Sequence, residues 1–166
     1  MTRYLFCIIF LGVILPNSAS ATSEREKLYE QSVQKSEELV SQAQSGKVGA
    51  RDVMEQFATC AGFYGKLGEF LERFSKSPKA QNTVVEMQFQ SRSSRKVAAH
   101  FWSPHSKKPM EDVSAEMNIA EERFDAKVRE GRETFLEFSS TEMEVCKTLM
   151  VLQAKTLRVI DVNAEE

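Results

Sequence analysis

Histidine is scarce in this sequence: His100 and His105 are the only two in 166 residues. Their spacing alone suits zinc, but the Cys-x-x-Cys half of a finger is missing. A di-iron bundle needs glutamate three residues before each histidine. Those positions hold Val97 and Trp102, so that site is excluded. Covalent haem attachment requires Cys-x-x-Cys-His, and an α/β-hydrolase elbow requires Gly-x-Ser-x-Gly. Neither occurs. Ser32 and Lys35, and again Ser93 and Lys96, match Ser-x-x-Lys, but the companion Ser-Asp-Asn and Lys-Thr-Gly elements are absent. Gly62 and Gly65 are separated by two residues, where a phosphate loop has four. The expectation is therefore a non-enzyme with no cofactor and no metal.

Long hydrophobic runs are also lacking, with one exception. Leu5 to Leu15 is an apolar stretch of eleven residues, interrupted in character only by Gly12. Arg3 precedes it, Pro16 and Asn17 break it, and Ala19-Ser20-Ala21 supplies small residues for cleavage. This is the grammar of a secretory signal. Eleven residues are too few for a bilayer core, which takes roughly 20. Residues 1–21 are thus read as a signal peptide and 22–166 as a single helical domain. The predicted localisation is exported, periplasmic or secreted. The absence of any Asn-x-Ser/Thr sequon fits that reading.

Cysteine is sparse as well. Beyond Cys7 in the leader, only Cys60 and Cys146 remain. Two cysteines allow one intramolecular pairing, and an exported chain meets an oxidising space. A Cys60–Cys146 disulfide is predicted, with a pair of buried thiols or an intermolecular bridge as the alternatives.

No stretch shows the period-two alternation of a strand. Apolar residues recur instead at steps of three and four. The pattern predicts an all-α fold, an up-and-down bundle of four to five helices over about 23–45, 50–74, 78–102, 110–138 and 141–161. Ser23 to Glu26 has the form of a capping box, and Ser77-Pro78 is a helix opening. In the second segment Val53, Phe57, Cys60, Tyr64, Leu67, Leu71 and Phe74 form a seam. Gly62, Gly65 and Gly68 lie within it, each costing about 1 kcal/mol of helix propensity relative to alanine, which points to a close neighbour or a weak stretch. Ser91 to Lys96 reads either as a helix interior at a tight contact or as a break. Ser139-Ser140-Thr141 offers cap residues, so a break is expected there. The alternative is one helix from 110 to 160, about 75 Å long.

Charge of one sign is missing from one segment. Residues 76–108 hold seven bases and a single acid, Glu86, whereas residues 109–166 hold fourteen acids and seven bases. Without the leader, 21 bases face 24 acids, a net charge of −3. An acidic exported chain is a poor nucleic-acid binder. Arg92, Arg95, Lys96, Lys107 and Lys108 form a candidate patch for an anionic partner. The functional expectation is an exported helical protein that works by contact with an unknown protein or the cell-envelope surface, with at most peripheral membrane contact. The alternative is a carrier or sensor of an apolar ligand held between helices, suggested by the supply of phenylalanine and methionine.

Overall fold

In the computed structural model the described residues are 49–74, 76–163 and scattered positions between 27 and 45. The predicted signal peptide lies outside the described residues. So does most of the predicted helix over 23–45, although its described positions from Lys27 to Gln42 are helical. Beyond these the described residues form α1 (Ala50–Phe74), α2 (Pro78–Trp102), α3 (Pro109–Glu130), α4 (Arg132–Thr148) and α5 (Met150–Asn163). No strand occurs among the described residues.

Contacts along the chain give the directions. Gly65 faces Ser91 and Gly68 faces Met87, so α1 and α2 are antiparallel. Gly62 meets Met117 and Ala120, and Lys66 pairs with Asp125 at 3.1 Å, so α3 runs parallel to α1. The rings of Phe70 and Phe135 lie 5.0 Å apart and those of Phe63 and Phe138 lie 6.0 Å apart, so α4 is antiparallel to α1. Gln153 sits on Gln90 and Ser94, and Asp161 sits near Lys96, so α5 runs parallel to α2 and keeps the direction of α4. The result is an up-down-up-down bundle whose last member is jointed at Leu149.

The core follows the predicted seam. Val53, Phe57, Cys60, Tyr64 and Leu71 are buried, while Phe74 at the end of α1 is 53% exposed. Phe63, Phe70, Phe124, Phe135 and Phe138 join α1, α3 and α4 through tilted and edge-on ring contacts. Such pairs add about 0.5–1.5 kcal/mol beyond area burial. Cys60 and Cys146 are bridged, with Cα atoms 5.6 Å apart across 86 residues of sequence. The bridge pins the middle of α1 to the end of α4.

The three glycines mark close approaches, but to two different helices. At 100° per residue, a step of three drifts backward by about 60°. Gly62 and Gly68 are therefore about 120° apart around α1. A Cβ at Gly62 would lie 2.6 Å from the Met117 carbonyl oxygen on α3, whereas one at Gly68 would lie 3.4 Å from Met87 Cβ on α2. Ser91 to Lys96 is continuous helix, and the Ser91 hydroxyl donates to the Ala61 carbonyl at 2.8 Å. Small residues at a tight contact are the correct reading of that stretch.

The expected break at 139–141 is corrected. Those residues lie inside α4, and the Thr141 hydroxyl donates to the Glu137 carbonyl one turn back. The turn falls at Gly131, with φ +120°, a conformation that side-chain-bearing residues rarely adopt. The helices written as 110–138 and 141–161 are thus Pro109–Glu130 and the jointed pair Arg132–Thr148 and Met150–Asn163. A single helix from 110 to 160 is excluded on the same grounds.

Two stability outcomes follow. Replacing Cys60 and Cys146 together with alanine should cost ~3–4 kcal/mol and lower Tm by about 10–15 °C in thermal circular dichroism, with the low-temperature helical signal kept; an unchanged Tm would contradict the staple. Gly62→Ala should lose about 1–3 kcal/mol by overpacking against α3. Gly68→Ala should be neutral or stabilising by up to about 1 kcal/mol, because helix propensity rises and only an ordinary contact forms. The reverse ranking in a denaturant titration would refute the two-neighbour reading of the glycines.

Candidate functional site

The five cations of the candidate patch separate into three settings. Arg92 and Lys96 are exposed on the outer side of α2. Arg95, three residues beyond Arg92, rotates inward, and its guanidinium donates to the Ser114 hydroxyl on α3 at 2.9 Å. Its Nε is buried without a hydrogen-bond partner. Arg95 therefore joins two helices. Lys107 and Lys108 are exposed in the connection after α2, where Lys108 pairs with Glu111 at 2.9 Å. Lys96 approaches Asp161 of α5 at 3.9 Å.

The outer side of α2 carries more than charge. Asn82, Val85, Phe89, Arg92 and Lys96 recur at steps of three and four and are all exposed. Val85 is 62% and Phe89 51% exposed. Buried Met87 and Ala98 lie on the opposite side of the same helix. Sequence reading identified the cations but not the two apolar residues that precede them on the same face. Their i, i+4 spacing was the available signal.

The connection from α2 to α3 is pinned by one carboxylate. Asp112 accepts from the indole N–H of Trp102 at 2.7 Å and from the Ser106 hydroxyl at 2.5 Å. The His105 ring lies 5.5 Å from the indole. The hydrogen bond from Ser106, then that from Trp102, holds the Asp112 carboxyl below its ordinary range. His100 packs edge-on against Phe101. Both histidines thus sit against aromatic rings, and among the described residues no three His, Cys, Asp or Glu side chains gather as a metal site.

Other titratable groups have structural settings. Burial pushes the Tyr64 hydroxyl up to about 12, so it stays protonated at neutral pH. Burial of the Lys66 ammonium works to lower its pKa, but the hydrogen bond and charge of Asp125, with Glu69, outweigh this and raise it. Burial raises the Glu142 carboxyl against the opposing effect of Arg123, which also lies 5.4 Å from the centre of the Phe138 ring.

Between α2 and α5 a polar chain is buried. Ser94 donates to Gln153 at 2.9 Å, Gln153 donates to Gln90 at 2.8 Å, and Gln90 donates to Glu86 at 2.7 Å. Gln90, Ser94 and Gln153 are all under one-tenth exposed. Open cavities occur among the described residues. One of ≈ 380 Å³ lies among Leu39, Asp52, Glu55, Gln56 and Thr59, and one of ≈ 280 Å³ lies between Glu72, Lys76 and the start of α2 at Gln81, Val84, Val85 and Gln88. Among the described residues neither is lined by phenylalanine or methionine. Among the described residues no helix is long and apolar enough to cross a membrane.

The architecture defines a disulfide-stapled helical bundle with an exposed basic and apolar ridge. No family model, curated protein or solved structure matches the chain.

Trp102 is the only tryptophan, so its emission reports directly on the Asp112 pin. A carboxyl with a depressed folded pKa contributes stability above its unfolded value, about 4, which is lost as pH falls through the folded value. Acidification below pH ~4 should therefore red-shift the emission as the connection loosens, and Asp112→Ala should show the shifted emission already at neutral pH. An Asp112→Ala protein with the parent's emission and acid titration would contradict the pin.

Proposed function

We propose that the chain is an exported, non-enzymatic helical protein that acts by contact with an anionic partner at the cell envelope. The observation that carries this reading is the ridge on α2, where Arg92 and Lys96 stand beside exposed Val85 and Phe89. Exposed apolar side chains rimmed by polar groups mark contact sites when they form a contiguous patch, and Val85 and Phe89 stand one turn apart on the same face as the cations. The charge imbalance supports it further: seven bases to one acid over residues 76–108, within a chain that is acidic elsewhere. The carrier reading has less behind it. Its ligand would need an enclosed cavity lined by apolar side chains, and the cavities beside Leu39 and beside Val84 and Val85 are open to solvent.

The test is charge reversal at exposed positions only. Arg92→Glu, Lys96→Glu and Lys107→Glu together should leave helicity by circular dichroism within a few per cent of the parent, about the change expected for exposed substitutions. They should weaken association with isolated envelopes about tenfold. Added salt should weaken the parent's association in the same way. Arg95→Glu should instead lower Tm, since it loses the bond to Ser114 and places an acid at the α2–α3 contact. Envelope association unaffected by the triple reversal would overturn the contact reading.

A further inference from the structure

The contact reading leaves the partner's chemistry open, and the shape of the ridge bears on it. Asn82 to Lys96 spans roughly 21 Å of helix. No acid lies on this line. Glu86 is set to one side, where Gln90 donates to it at 2.7 Å. Lys96 and Asp161 are 3.9 Å apart and both exposed, so that pairing is weak and open to exchange. The ridge is formed by a single helix on the side opposite buried Met87 and Ala98, and Val85 at its start also borders the open cavity beside Glu72 and Lys76.

A stable protein interface needs about 800 Å² from each partner with a packed apolar centre. Val85 and Phe89, two exposed side chains one turn apart, supply little of such a centre. A lipid interface makes different demands. It needs no complementary shape, only a few apolar side chains to enter the headgroup boundary and cations to pair with phosphates. Each lysine or arginine near an anionic leaflet is worth about a fivefold gain in partitioning. The rest of the chain from residue 22 is acidic and would be repelled by the same surface, which orients the molecule with α2 toward the lipid. From these observations, and resting on the contact reading above, we propose that the outward face of α2 docks on an anionic phospholipid bilayer, with Val85 and Phe89 entering the interface and Arg92 and Lys96 pairing with headgroup phosphates.

The experiment is co-sedimentation of the protein, in the form its host makes, with two sets of vesicles. One set is phosphatidylcholine alone, and the other contains roughly one-third phosphatidylglycerol. Binding should be at least about tenfold stronger to the anionic set and should disappear in roughly 0.5 M salt. Val85→Ser with Phe89→Ser, and separately Arg92→Glu with Lys96→Glu, should each lose most of it while retaining the parent's circular dichroism. The charge pair is the deciding variant if the serine pair fails to fold. Equal binding to both vesicle sets, no binding to either, or parental binding by a folded variant overturns the lipid proposal. If vesicles fail but Arg92→Glu with Lys96→Glu still releases the protein from native envelopes, the lipid proposal falls and a protein partner takes its place under the contact reading. If native envelopes do not respond either, both readings fall.

Discussion

Helix α1 holds three neighbours on nine consecutive residues, and the bundle depends on that stretch. Cys60 binds α4 covalently, Gly62 admits the backbone of α3, and Gly65 and Gly68 admit α2. Each contact lies at a different azimuth, because a helix turns 100° per residue. The glycines cost helix propensity, about 1 kcal/mol each, and return it as backbone-distance packing that a larger residue at Gly62 would prevent. Phe57 and Phe63, fully buried among these contacts, fill the space the close approach encloses.

The last helix is held differently. Leu149 and Leu152 reach the core, but Gln153 and Thr156 are buried on the same element while Val151 and Val159 are exposed. Polar side chains buried at a helix contact fix register more sharply than apolar ones, since a slipped pairing strands a donor or acceptor. The Ser94–Gln153–Gln90–Glu86 chain does this for α5 against α2. It leaves the outer ridge of α2 uncovered, and that is the surface on which the proposed function rests.

Much of the fold was legible in the sequence because its signals were periodic. The seam from Val53 to Leu71 and the opening at Ser77-Pro78 follow from spacing and capping, and Ser77 does accept from the Ala80 amide. The expectation of export, with Cys7 assigned to an expected signal peptide, pointed to the Cys60–Cys146 pair, which the structure bridges. The break was misplaced because serine and threonine are ambiguous: they cap helices or bond back to the preceding turn. Thr141 does the second. Gly131 was the better signal, but a lone glycine within an unbroken seam resembles a tolerated defect. The candidate patch was legible only as charge. Arg92 and Arg95 look equivalent in sequence, yet the three-residue step turns one outward and the other into Ser114. The buried glutamine chain left no periodic trace, since Gln90 and Gln153 lie 63 residues apart.

The central structural claim is that α1 and the end of α4 are joined through their cysteines. Protease mapping of the unreduced, alkylated protein by mass spectrometry tests it most directly. The account predicts a single linked species containing the Cys60 and Cys146 peptides, which separates on reduction. Recovery of both peptides as alkylated monomers would contradict it and remove the covalent anchor between α1 and the end of α4.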